Sequence, residues 1–140
     1  MILYLYYNAD LLDVATSKNQ LVVSYVDDAN LYAEGDTYEE AYNSISDMLT
    51  KQGGAGEWAI SHNSKFETSK FAILCFSRRR VPDPLHPGKT IPEPRPVFVY
   101  ESTNINPQVS HKYLGVYFDQ ELRWDTQACN IYLADVNQHL

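Results

Sequence analysis

Leu21-Val22-Val23-Ser24-Tyr25-Val26-Asp27-Asp28-Ala29-Asn30-Leu31-Tyr32-Ala33 decides how this 140-residue chain is read. Leu21 to Tyr25 is β-branched and apolar, Ala29 to Ala33 is a second short apolar run, and Val26, Asp27 and Asp28 lie between them. Two such runs with so short a gap predict a tight antiparallel hairpin with acidic residues at its tip. A tip exposes its carboxylates, and the strands fix where they point. Adjacent like charges disfavour each other's ionisation unless a cation neutralises them. Mg²⁺ takes carboxylate oxygen and keeps several waters, which leaves room for substrate phosphates. Paired metals on clustered carboxylates are the usual device for in-line phosphoryl transfer. Asp also favours turns for local reasons alone, so two Asp in a turn leave both readings open.

Outward from the hairpin the chain reads as α+β. Upstream, Leu3, Tyr6 or Tyr7, Leu11 and Val14 recur at roughly helical spacing, which predicts a helix over 2–14. Lys18-Asn19-Gln20 is a polar turn. Downstream, Thr37 with Glu40 three positions on matches a capping box. Tyr38, Ala41, Tyr42, Ile45, Met48 and Leu49 then repeat at helical spacing until Gly53-Gly54 stops the helix. Phe71 to Phe76 is a continuous apolar run and predicts a buried strand. Six of the seven Pro lie within 82–96, which predicts an extended loop and no packed element. Val97 to Tyr100 is a short strand. Lys112 to Phe118 alternates as another strand, closed by a turn at Asp119-Gln120-Glu121. From Asp125, the pattern Ala128, Tyr132, Ala134 or Asp135, and Val136 predicts a helix. There are no internal repeats.

The charges exclude some functions. Eighteen acidic and eleven basic residues give a net of −7, which argues against a protein that grips nucleic acid with its whole surface. The charge is unevenly spread: residues 1–61 carry 2 basic and 10 acidic side chains, 62–95 carry 7 and 3, and 96–140 carry 2 and 5. The bland reading is chance clustering of solvated charges; the sharper one is an acidic, metal-binding module beside a basic strip facing phosphates. A 44% hydrophobic content is too high for a wholly disordered chain. The two Cys, at 75 and 129, form neither a metal cluster nor a disulfide framework, so a reduced intracellular compartment is expected. No apolar run approaches the ~20 residues of a membrane span. Met1 to Tyr7 lacks the basic flank of a signal peptide, so no membrane partner is expected.

Tyr25-Val26-Asp27-Asp28 resembles the catalytic Tyr-x-Asp-Asp motif of reverse transcriptases, which stands on the palm hairpin of those enzymes. With 11 Tyr and 10 Asp in 140 residues, chance supplies about 0.05 such strings. Three further likenesses follow the family's order. Leu3 to Leu12 resembles the helix after its Gln-Gly-x-Pro-x-Ser-Pro segment. Asn63 to Phe76, with Glu67-Thr68-Ser69-Lys70-Phe71 inside it, resembles the palm segment whose lysine precedes a strand. Lys112 to Asp119, running on to Leu122-Arg123-Trp124, resembles the hairpin that grips the primer end. The Tyr-Leu-Gly core with a downstream Leu-x-Trp is similar to non-LTR, LINE-like retrotransposons, and the Gly53 to Trp58 stretch resembles fungal members.

The resemblance implies a partial polymerase palm over 1–77, a Pro-rich loop insert over 78–96, primer-grip-like strands over 97–124 and the start of a thumb-like helix over 125–140. It implies RNA-directed DNA synthesis with Mg²⁺, an RNA template, a DNA primer and a deoxynucleoside triphosphate, in a nuclear setting for a retrotransposon enzyme. Asp27 becomes a metal ligand and Asp28 its neighbour, an outer or alternate ligand of the same metal. Tyr25 and Val26 lie under the nucleotide or primer end. Lys70 donates a proton to leaving pyrophosphate. Lys112, Tyr113, Leu114 and Gly115 hold the primer, with Gly allowing close backbone approach, and Arg78, Arg79 and Arg80 contact phosphates. For Tyr25 and Lys70 a plain surface role is an equal alternative, and for the arginines a family-specific loop. The family also needs an aspartate on an earlier strand and a Gly-rich template segment, which are expected ahead of Met1. The isolated chain is therefore expected to be inactive, to bind Mg²⁺ weakly or not at all, and to leave apolar surface exposed. The alternatives are a non-catalytic retroelement remnant, a small α+β interaction module, or an unrelated metal-dependent nuclease or cyclase using Asp27 and Asp28. The last leaves Lys70 and Tyr-Leu-Gly unexplained.

Overall fold

A computed structural model describes residues 7–26 and 28–123. The helix expected over 125–140 lies outside the described residues, as does the first half of the one expected over 2–14. The protein is mixed α+β, built of short helices and small antiparallel hairpins, and it divides into two compact units, Met1–Ser69 and Lys70–Leu140.

In the first unit the upstream helix is tighter than its periodicity suggests. Ala9–Val14 is a 3₁₀ helix, with Leu11 and Val14 only 2% and 1% exposed. Three residues per turn set positions i and i+3 on one face, which suits a two-residue anchor. The hairpin follows as expected. Strand β1, Gln20–Tyr25, pairs with β2, Asp28–Ala33, in a register that runs from Gln20 opposite Ala33 to Tyr25 opposite Asp28. Val22 is buried, whereas Leu21, Val23, Tyr25 and Tyr32 form an exposed apolar face. The 3₁₀ helix packs against β1, and the first α-helix packs against β2.

That helix, α1, spans Tyr38–Thr50 and starts at the expected Thr37 cap, with the Glu40 carboxylate reaching back one residue beyond it. The Glu40 amide donates to Thr37 Oγ1 at 3.2 Å, while the Glu40 carboxylate accepts from the Asp36 amide at 2.9 Å. Gln20 ties β1 to α1: its side-chain amide donates to the Ser44 hydroxyl and carbonyl at 3.1 and 3.3 Å, and its Oε1 accepts from the Thr16 amide. Gly53 ends this region with φ 73°. A second helix, α2, spans Ala55–Ser61 and was not legible as one. A Cβ at Gly54, which starts it, would come within 2.8 Å of the Met48 and Lys51 carbonyls, so the two helices close together only on glycine. Around Trp58 the rings of Tyr7, His62 and Phe66 gather at centroid distances of 5.7, 4.5 and 6.1 Å.

The second unit departs further from its pattern. Phe71 to Phe76 is not a buried strand; only Cys75 is buried, and Ile73 makes a single parallel bridge to Pro107. The segment is held group by group instead of by a ladder. The Gln108 amide donates to Ile73, the Ser77 amide donates to Gln120, and Arg95 donates to the Cys75 and Ser77 carbonyls at 3.0 and 2.9 Å. A side-chain fork thus replaces the neighbouring strand. The Pro-rich stretch also differs from the expected loop. Strand β3, Arg80–Pro82, pairs with β4, Thr90–Pro92. A two-stranded ribbon is all edge, so its prolines need no ladder partner on the outer side.

Strand β5, Phe98–Tyr100, pairs with β6, Thr103–Ile105, across a turn in which Glu101 and Ser102 both have positive φ. Phe98, Tyr100 and Ile105 are buried, and Phe71 stacks on Tyr100 at 5.6 Å. Burial, aided by the neighbouring Glu101, pushes the Tyr100 hydroxyl above its usual range. The single strand expected over 112–118 is two: β7, Ser110–Tyr113, and β8, Val116–Asp119, around a Leu114-Gly115 turn. Both turn residues have positive φ, 48° and 87°, which matches the right-handed strand twist and breaks the alternation.

The tip of the β3–β4 ribbon supplies a pH prediction. Asp83 accepts the Leu85 amide at 2.8 Å and faces His86 Nδ1 at 2.7 Å. The Leu85 bond first, then His86, holds its carboxyl below the ordinary value of 3.8. A depressed carboxyl contributes order above its unfolded pKa and loses it as pH falls through the folded one. Protection of the Leu85 amide, its exchange rate taken relative to the intrinsic rate at each pH, should therefore stay constant from neutrality to about pH 5, then fall at lower pH toward the level in Asp83→Ala. A flat profile down to pH 2 would count against this.

Candidate active site

The hairpin of the first unit presents the acidic motif. Tyr25 closes β1 with 55% of its surface exposed, opposite Asp28, which is also exposed. Between them Val26 has φ 57°. A β-branched side chain is rare in the left-handed region and costs about 1–2 kcal/mol there. Such residues persist only where surrounding structure holds them, and they gather at functional turns. The hold is visible: Asn8 Nδ2 donates to the Val26 carbonyl at 2.5 Å and reaches Ser24 Oγ at 3.4 Å. Asp27 lies outside the described residues.

The other site residues fall in the second unit. Lys70 ends a 3₁₀ turn, Thr68–Lys70, and is exposed. Lys112 stands on β7 with its ammonium 5.4 Å from the ring of Tyr117, its cross-strand partner. The structure gives Gly115 a different reason from close approach: nothing lies within 4 Å of where its Cβ would be, and its φ of 87° is what calls for glycine. Leu114 stands exposed beside it. Arg78 donates to the Glu121 and Leu122 carbonyls at 2.7 and 3.1 Å, and Arg80 donates to Thr90 Oγ1 and O at 3.0 and 2.6 Å. Arg79 lies 3.9 Å from the Glu93 carboxylate. All three are exposed, yet each already has an intramolecular contact.

No family model, curated protein or solved structure matches this chain.

The donor set bears on Mg²⁺ directly. Carboxylate oxygen is the right chemistry, but among the described residues no three His, Cys, Asp or Glu converge on a point. Asp28 is exposed and belongs to no such group, and Asp27 lies outside the described residues. Among the described residues, no helix is long and apolar enough to cross a membrane.

Two residues matter here that their sequence context does not announce. Asn8 is one polar residue in an apolar opening segment, and its role appears only when the hairpin folds beside it. Arg95, amid prolines, reads as solvated charge, yet it bonds four carbonyls, those of Cys75, Ser77, Glu93 and Gln120. Pairing that is distant in sequence leaves no local signal.

Proposed function

We propose that this chain is part of the palm of a non-LTR, LINE-like reverse transcriptase, whose parent reaction is RNA-directed DNA synthesis. The observation that carries the reading is the Tyr-Val-Asp-Asp string at the turn of a two-stranded antiparallel hairpin, with a strained Val26 at its head. A second, independent support is the Lys112 to Asp119 hairpin with its Leu114-Gly115 turn, where the resemblance calls for a primer grip. In the parent reaction the primer 3′-hydroxyl gives up its proton to solvent as its oxygen bonds to the α-phosphorus of a deoxynucleoside triphosphate. The bond to the bridging oxygen breaks, and pyrophosphate leaves. By the resemblance, Asp27 and Asp28 are the catalytic carboxylates and Lys70 is the proton donor to the leaving group. The resemblance gives Tyr25 a role at the nucleotide or primer end and gives Lys112, Tyr113, Leu114 and Gly115 the primer-grip role, with template, primer and nucleotide as the partners.

A further strand aspartate and a Gly-rich template segment, which the resemblance requires ahead of Tyr25, have no counterpart in the 140 residues. Fixed charge stabilisation is the largest catalytic term in such centres. The 140-residue chain by itself should therefore give no measurable primer extension on a primed RNA template with Mg²⁺. Template-dependent incorporation by this chain that disappears in Asp27→Ala would overturn that expectation.

A further inference from the structure

Asn8 stands immediately before the Ala9–Val14 3₁₀ helix, where an Asn side chain ordinarily caps the helix, yet it makes no side-chain cap there. Its amide goes to the hairpin instead, bonding a carbonyl 18 residues away at 2.5 Å. Its neighbour Tyr7 is fixed from the other side. The Tyr7 hydroxyl donates to the His62 carbonyl at 2.8 Å and meets Ser64 Oγ at 2.5 Å, and its ring stands edge-on to Trp58 and His62. Residues 7 and 8 therefore link the aromatic cluster at the end of α2 to the strained Val26 of the acidic turn. If Val26 relaxed to negative φ, its carbonyl would swing away from Asn8, so bond and strain stand or fall together.

We infer that Asn8 is a positioning residue for the acidic turn: its side-chain amide, braced through Tyr7, fixes the Val26 peptide and so sets the direction in which the chain enters Asp28. The purpose of that positioning rests on the polymerase reading; the coupling itself does not.

The test is the backbone of Val26 in the full 140-residue chain, read by its ¹³Cα and ¹³Cβ shifts and its amide-to-Hα coupling. Asn8→Ala should abolish the left-handed signature at Val26 while the amides of α1 and α2 keep their shifts. Asn8→Asp, with the same shape but an acceptor facing the carbonyl, should do the same. In a Val26→Gly background, where the left-handed turn needs no clamp, adding Asn8→Ala should leave the Asp28 amide unmoved. Two results would overturn the inference: a left-handed Val26 that survives Asn8→Ala, or shifts spread evenly through α1 and α2. If Asn8→Ala alone does not fold, Val26→Gly should restore its fold, and failure to do so overturns the inference as well. Catalysis is not the readout, so a failed polymerase reading leaves this result standing, and a failure here leaves that reading intact.

Discussion

Trp58→Ala should cost the first unit about 3–5 kcal/mol and leave it largely unfolded at room temperature. Trp58 is only 9% exposed and stands at the centre of the ring cluster of Tyr7, His62 and Phe66. Removing it opens a cavity that short helices cannot close, and Tyr7 loses the ring it leans on. The indole nitrogen works against this: Nε1 is buried with no hydrogen-bond partner among the described residues, and an unmet buried donor costs about 1–3 kcal/mol. Trp58→Phe removes that orphan along with some apolar area, so it should stay within about 1 kcal/mol of the parent. Urea unfolding of the three proteins, followed by far-ultraviolet circular dichroism, decides it. A loss below about 1 kcal/mol in Trp58→Ala would mean that the cluster does not carry this unit.

Arg95→Ala should free the 71–79 segment of the second unit. The half-buried guanidinium donates to four carbonyls on three stretches of chain, with the shorter bonds to Ser77 at 2.9 Å and Cys75 at 3.0 Å. Hydrogen bonds from a charged donor are worth about 1.5–3 kcal/mol each when one partner is removed. They are not additive, and a net loss of about 2–3 kcal/mol is expected for the site. Arg95→Lys should recover little, because a point ammonium cannot span carbonyls that a planar fork reaches together. The reporter is the Ser77 amide, which donates to the Gln120 carbonyl at 2.9 Å. Its hydrogen exchange should accelerate in both variants, while β5–β6 protection in the same unit falls less. Unchanged Ser77 protection in Arg95→Ala would contradict this.

The sequence was most legible where local chemistry dominates. The hairpin follows from two short apolar runs with a three-residue gap, and α1 follows from Thr37, Glu40 and a run of apolar residues at helical spacing. It was least legible where partners are remote. Phe71 to Phe76 has the composition of a buried strand, but burial needs a neighbouring strand, and the chain offers Arg95 and two isolated backbone bonds instead. The Leu114-Gly115 turn hid inside an alternating run because Leu is an uncommon residue at positive φ. α2 hid behind two glycines that read as a stop, although Gly54 also lets the next helix begin against the last. For the candidate site, the acidic motif and its hairpin were visible at once. Asn8 was not, because a bond between residues 8 and 26 leaves no periodic trace.

The central claim is that the acidic turn is the reaction centre of a reverse transcriptase. Its most direct test is RNA-templated primer extension by the protein translated from the complete reading frame that contains this chain, with the wild type assayed beside Asp27→Ala. Deoxynucleotide incorporation that depends on the template and falls at least about 100-fold in Asp27→Ala is the predicted result. Incorporation undiminished by that substitution, or none from the wild type, would contradict the account.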